Sequence, residues 1–136
     1  MLSSDTLRRR VRERLAEQRA LVATLLQLRQ QLQGSLFVRY GQCGKEHCVC
    51  RQGRGHGPYY VLSGGAGSFT YVEGADVPRV RRLVDRYRAF RRGFRQLRRL
   101  NEELVELLKR YQATSAREGG RGLRLGPVRG QKRAHS

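Results

Sequence analysis

The chain has 136 residues, 29 of them lysine or arginine and 11 aspartate or glutamate, giving a formal charge of +18. Such a balance makes a polyanion the expected partner, nucleic acid before an acidic membrane surface. No apolar run approaches the roughly 20 residues that cross a bilayer, and three cysteines are too odd a set for a secreted disulfide framework, so a cytoplasmic protein is expected.

Hydrophobic residues make up 38% of the chain, which predicts a thin, elongated core and one small domain with a tail. The apolar stretch at 20–28 follows many charged residues and lacks a small-residue cleavage site, unlike a signal peptide. A GC-rich coding sequence explains arginine in place of lysine, but not the excess of bases over acids.

In chain order, residues 1–33 read as an N-terminal helix. Leu7, Val11, Leu15, Leu21, Val22, Leu25, Leu28 and Leu32 recur at helical spacing over 5–32 without an interrupting Gly or Pro. Ser4 or Asp5 is placed to cap its start, and Gly34 lies just past its end. Residues 34–76 read as a small three-stranded antiparallel sheet, with strands at Leu36–Tyr40, Tyr59–Leu62 and Phe69–Val72. The glycine-rich segment 63–68 joins the last two, and looks too long for a two-residue turn.

Residues 77–111 read as a long basic helix. Val80, Leu83, Tyr87, Phe90, Phe94, Leu97, Asn101, Leu104, Leu108 and Tyr111 alternate spacings of three and four, a coiled-coil seam with one polar position at Asn101. Asp76 and Pro78 suit its first turn. Arg14 and Gln18 fall where the first helix would need apolar residues to fill the whole seam. Pairing within the chain is favoured, with dimerisation through 80–111 as a further possibility. Residues 112–136, rich in glycine and like charge, read as a disordered basic tail. The fold class is therefore α+β: a long helical hairpin or coiled-coil seam with a small sheet and a cysteine/histidine loop.

That loop holds all three cysteines. Cys43, Cys48, Cys50 and His56 follow the order C-x4-C-x-C-x5-H among glycines at 41, 44, 53, 55 and 57. Three thiolates and an imidazole form a closed, four-coordinate structural zinc site, and Lys45, Arg51 and Arg54 would favour the thiolates. The C-x-C spacing is tighter than in common zinc knuckles. In an extended segment His47 falls on Val49's side, away from the cysteines, so His56 is the expected fourth ligand. The competing readings are a metal-free loop of reduced thiols and a redox cysteine. Gly57-Pro58 reads as the turn that ends the loop, and Tyr59 and Tyr60 as rings on opposite faces of a strand, one of them packed or free to stack on a base. No paired carboxylates or separate general base occur, so a non-enzymatic protein is expected.

Arg81, Arg82, Arg88, Arg91, Arg92, Arg95, Arg98 and Arg99 all avoid the seam, and few carboxylates stand at helical spacing to offset them between 86 and 101. Such a face fits sequence-independent phosphate contact. The expected function is a zinc-stabilised, nucleic-acid-binding protein, with DNA favoured. The alternative is a coiled-coil interaction module whose charge serves solubility. Membrane attachment fits less well, because the apolar stripe is narrow.

Cys43-Gly44-Lys45, Cys48-x-Cys50 and His56-Gly57-Pro58-Tyr59-Tyr60, followed by a glycine hairpin and Val77-Pro78, resemble a family of short prokaryotic proteins of unknown function. The resemblance covers about 34–110. It implies a small accessory protein of mobile-element or phage contexts and supplies no catalytic residues. The Gly-Gly-Ala-Gly hairpin departs from the basic or aromatic strand edge more usual there.

Overall fold

The apolar periodicities set out above produce two helices, and the β-rich segments between them produce one sheet. The computed structural model describes residues 2–53, 55–65, 67–128 and 130, without the side chains of 50, 51 and 65. The elements run α1 (Ser4–Leu26), β1 (Ser35–Gly41), a 3-10 helix (Val49–Gln52), β2 (His56–Gly65), β3 (Ser68–Val72), a 3-10 turn (Gly74–Asp76) and α2 (Val77–Gly120). The sheet is antiparallel throughout in the order β1-β2-β3. The fold is α+β, as the sequence predicts. Among the described residues no helix is long and apolar enough to cross a membrane.

The strands follow the expected segments but reach further. Gly57 and Pro58, expected as a turn, lie inside β2, joined by a cis peptide bond. The hairpin is tighter than its six glycine-, serine- and alanine-rich residues imply, because Gly65 pairs with Ser68. Only positions 66 and 67 then lie between paired residues; Gly67 has φ 77°, which glycine adopts without cost, and Ala66 lies outside the described residues.

The chain forms two compact units, residues 1–19 with 98–136, and residues 20–97. In the first, α1 and α2 run antiparallel and bury Leu7, Leu100, Leu104 and Thr114. The contact line on α2 is Leu100, Leu104, Leu107, Tyr111, Thr114 and Glu118, none of them exposed. This line keeps the three–four alternation but is phased differently from the expected seam. Asn101 and Leu108 are exposed, and only Leu104 and Tyr111 belong to both lines.

The polar residues of α1 accord with that phase. Gln18 Nε2 donates to Asn101 Oδ1 at 2.6 Å, and Arg14 Nε lies 2.8 Å from Glu103 Oε2. Both contacts flank a leucine line and would be lost if α2 turned to bury Asn101. Arg14 and Gln18 thus extend the helix pairing where apolar residues were expected to be needed.

The true contact line also explains why α2 runs nine residues past Tyr111, to Gly120, where the sequence reading places the start of a disordered tail. Thr114 and Glu118 continue the line with small or polar side chains that a purely apolar pattern does not register. Residues 129 and 131–136 of the expected tail lie outside the described residues. At the other end, Ser3 caps α1, accepting from Thr6 N–H at 3.2 Å, in place of the expected Ser4 or Asp5. Ser4 instead turns to Glu118: its amide donates to Oε1 at 3.3 Å and its hydroxyl to Oε2 at 2.5 Å.

In the second unit Leu25, Val61, Val77 and Val84 are buried. Of the expected seam, Val80, Leu83, Tyr87 and Phe90 are only half-buried and Phe94 is exposed. Gly93 is buried; a Cβ there would run into Leu25 Cδ2 and come within 3.4 Å of Leu25 Cγ and 3.7 Å of Leu21 Cδ1. The glycine costs about 1 kcal/mol of helix propensity and in return lets the leucines of α1 lie against the α2 backbone.

α1 ends at Leu26, six residues short of the predicted end. Gln27 and Leu28 close it with short backbone bonds to Thr24 and Leu25. The next backbone groups then find partners on α2. The Arg29 carbonyl accepts from Arg86 at 2.9 Å, and Leu32 N–H donates to the Leu83 carbonyl at 3.1 Å. Partners on a second element replace those a longer α1 would have supplied.

The two Ser4 hydrogen bonds, the side-chain one foremost, hold the Glu118 carboxyl below its ordinary value, with Arg121 and Arg117 adding to the effect. A lowered folded value stabilises the fold above the unfolded value and ceases to do so as pH falls through the folded one. Glu118→Gln is therefore expected to lower the melting temperature at pH 7. The gap from wild type should close as the pH is taken below the ordinary glutamate range. Melting curves across pH 3–7 check this; a gap of constant size would contradict it.

Candidate metal centre

β1 and β2 pair in register from Ser35 with Ser63 down to Gly41 with His56, with an irregularity between Arg39 and Gly41. The cysteine loop, 42–55, is thus closed at its base by a cross-strand pair, and His56 is the first residue of β2. This closure brings Cys43, two residues beyond β1, beside the imidazole.

Two glycines make the approach possible. At Gly55 (φ 93°) a Cβ would stand 2.7 Å from the Gly41 carbonyl. At Gly57 (φ 143°) it would stand 2.9 Å from the Arg39 carbonyl oxygen and 2.8 Å from the Tyr40 ring. Both angles lie where L side chains are strained.

Within the loop, Cys48 N–H donates to the Lys45 carbonyl at 3.3 Å, a turn that brings Cys48 back over the base before the 3-10 helix begins. Cys48 Sγ lies 3.1 Å from His56 Nε2. The donor atoms of Cys43, Cys48 and His56 all lie within 4.8 Å of one another. Three of the four predicted ligands therefore converge. The side chain of Cys50, the fourth, lies outside the described residues, as does Arg54. His47 is exposed and takes no part in the cluster.

The donor set is close enough to hold a metal ion. Tetrahedral zinc with bonds of about 2.3 Å to sulfur and 2.0–2.1 Å to nitrogen sets its ligands about 3.6–3.8 Å apart. The 3.1 Å between Cys48 and His56 and the 4.8 Å limit on the whole set leave these atoms near that spacing.

The predicted phosphate-contacting residues all lie on α2 and all are exposed. Arg81, Arg82, Arg88, Arg91, Arg92 and Arg95 belong to the second unit, Arg98 and Arg99 to the first. Arg88 donates to Ser35 Oγ at 3.1 Å. Arg91 donates to the Tyr87 hydroxyl at 3.2 Å, its guanidinium 5.9 Å from that ring's centre. Among the described residues no carboxylate pairs with Arg81, Arg82, Arg92, Arg95 or Arg99; ion pairs elsewhere include Arg14 with Glu17 and Glu103, and Lys109 with Glu106.

Sequence reasoning missed one surface. Phe37, Tyr59, Phe69 and Tyr71 occupy one face of the sheet around Val61, a consequence of register. The signal was present in the alternation Phe37/Arg39, Tyr59/Val61 and Phe69/Tyr71, but it needs the pairing to be read.

A small α+β chain with a thiol–imidazole loop at one end of its sheet is the class that these elements define. The chain belongs to the family described as "Domain of unknown function (DUF6788)", whose model matches residues 5–82, more than half of the chain. The match takes in α1, the loop, the sheet and the opening of α2, and so begins before the stretch on which the resemblance rested and stops short of its end. Neither a curated protein nor a solved structure matches the chain.

The close approach at Gly57 gives a direct check on the loop base. Gly57→Ala is expected to cost about 1–3 kcal/mol, a strained backbone placed against backbone atoms. Gly44→Ala, at φ 78° with nothing within 4 Å, should cost only the left-handed penalty of about 1–2 kcal/mol. Urea unfolding of both variants, with Gly57→Ala the less stable, is the measurement.

Proposed function

We propose that the chain is a non-enzymatic nucleic-acid-binding protein. In this reading Cys43, Cys48, Cys50 and His56 hold a structural zinc ion and the α2 arginines contact phosphates. One observation carries the partner class: between Asp85 and Glu102, α2 has arginines at 86, 88, 91, 92, 95, 98 and 99 and no acidic residue. A solvated helix ordinarily interleaves such charges with glutamates at i+3 or i+4. Arg91, Arg92 and Arg95 are exposed and have no acidic residue at that spacing in either direction, so they gain by neutralising phosphates and releasing their counterions. DNA is the favoured nucleic acid, and an accessory role in a mobile element rests on the family resemblance alone.

Zinc fits the donor chemistry. It binds as a closed site of thiolates and imidazole, so both cysteines shown at the cluster lose their protons and His56 coordinates as the neutral ring. Bound, the ion would fix the loop base and with it the end of the sheet; it supplies no chemistry to a substrate.

A protein-docking reading draws on the first unit, where Val11, Leu15, Leu108 and Tyr111 line a shallow groove and Leu15 and Leu108 are nearly half exposed. Under that reading Leu108→Gln removes a partner and leaves DNA binding intact.

Two measurements test the proposal. Native mass spectrometry is expected to find one zinc per chain, with Cys48→Ser and His56→Ala each weakening zinc by more than the roughly 10–100-fold that outer-shell partners are worth. Titration of a 20-base-pair duplex is expected to give a dissociation constant below about 10 µM at low salt, with a steep salt slope. Replacing Arg91, Arg92 and Arg95 with Gln should shallow that slope by up to about 3, near 0.9 per phosphate contact. A flat salt response would overturn the nucleic-acid reading, and a metal-free loop the zinc one.

A further inference from the structure

Four of the chain's aromatic residues, out of 6 tyrosines and 4 phenylalanines in all, stand together on one open face of the sheet. The register places Phe37, Val61 and Tyr71 in one cross-strand row, Arg39 beside Tyr59 in the next, and Ser63 beside Phe69 on the other side. Residues directly opposite share a face, as do those two apart. Phe37, Tyr59, Phe69 and Tyr71 therefore surround Val61 on the same side.

Among the described residues the rings of this face stand open to solvent. Val61 is 2% exposed, yet its neighbours Phe69 and Tyr71 are 65% and 67% exposed, with Phe37 and Tyr59 at 39% and 44%. The rings themselves shield the valine. They meet as two perpendicular pairs, Phe37 with Phe69 at 6.2 Å and Tyr59 with Tyr71 at 6.3 Å between centres. In a perpendicular pair one ring gives its edge to the other, which leaves ring faces open to a third flat partner.

The charges around the face favour one occupant. Arg39 is exposed, and no group among the described residues pairs with it. At the opposite end of β1 the Arg88 guanidinium reaches Ser35 Oγ. One carboxylate, Glu73, lines the cleft beside Tyr59 and Tyr71. Cations thus stand at both ends of β1, with Glu73 just past the end of β3. Bare aromatic rings bracketed by arginines match a ligand that carries flat bases on a phosphate chain. A second copy of a chain with a net charge of +18 would set arginines against arginines at such a face.

We propose that this sheet face binds the unpaired bases of single-stranded nucleic acid by stacking on Phe69, Tyr71, Tyr59 and Phe37, with Arg39 and Arg88 on the flanking phosphates. The proposal rests on the nucleic-acid reading above and narrows it to strands whose bases are free. Duplex bases are stacked inside the helix and cannot reach a flat platform. Base–aromatic stacking tolerates any sequence because every base offers a π face.

The test uses the full chain and three fluorescein-labelled probes at fixed salt: a 15-nucleotide thymidine strand, an abasic strand of the same length, and a blunt duplex. The thymidine strand is expected to bind at least about tenfold tighter than the abasic one, with quenching of tyrosine fluorescence. F69A/Y71A should lose about 10-fold or more of the thymidine affinity while its abasic binding and salt slope stay as in wild type. The pair F69L/Y71L keeps an apolar cover over Val61 and should show the same loss, which separates stacking from misfolding. Equal binding of the thymidine and abasic strands, with the salt slope intact, overturns this proposal and leaves the phosphate-contact reading standing. Binding of none of the three probes overturns both. Unchanged thymidine affinity in the variants, with a dimer-to-monomer change in sedimentation, marks the face as a protein interface and also overturns the proposal.

Discussion

Antiparallel pairing of β1 with β2 runs down to Gly41 opposite His56, and that last pair determines what the cysteine loop can do. A loop of fourteen residues between strands left unpaired there would hold its thiols at no fixed distance from the imidazole. With its base closed, only a turn at Lys45–Cys48 is needed to bring two sulfurs and a ring nitrogen within reach of a common centre. The same register aligns Phe37, Val61 and Tyr71 in one row. Slipping the pairing by one residue would send those aromatics to the opposite face and part the thiols from the histidine. Gly55 and Gly57 guard the register, because any side chain at either position meets the backbone of β1.

The helices show how one amphipathic pattern holds two answers. α2 has apolar residues at both phases of a three–four alternation, and apolarity alone does not choose between them. The phase adopted buries Leu100, Leu104 and Thr114 and sets Gln18 and Arg14 of α1 against Asn101 and Glu103. Those polar contacts are solvent-exposed and add at most about 1 kcal/mol each. Leu108 stays about half exposed.

Much of this was legible in the residues. The thiol and histidine spacing gave the cluster and the β-rich segments gave three strands in the right order. The uninterrupted arginine run gave the exposed basic face. What could not be read were the places where distant groups decide a local outcome. α1 stops at Leu26 because Arg29 and Leu32 are satisfied by Arg86 and Leu83, fifty-odd positions away. α2 continues past Tyr111 because Thr114 is buried on the same cleft as Leu7 of α1 and Glu118 accepts from Ser4, although neither side chain signals burial. The aromatic platform was hidden for the same reason. Its members lie on three strands, and alternation within each strand says which residues share a face without saying what stands beside them.

Glu118 accepting from both the amide and the hydroxyl of Ser4 has a consequence for how the chain opens. The first amides of a helix lack partners within it; Thr6 finds Ser3, while the Ser4 amide leans on a residue in the last turn of α2. Fraying, which normally begins independently at each tip, is here a single event: loosening either terminus releases the other. Trimming the chain where its apolar repeat stops, at Tyr111, would therefore leave the first turn of α1 without its clasp, although no residue of that turn had been touched.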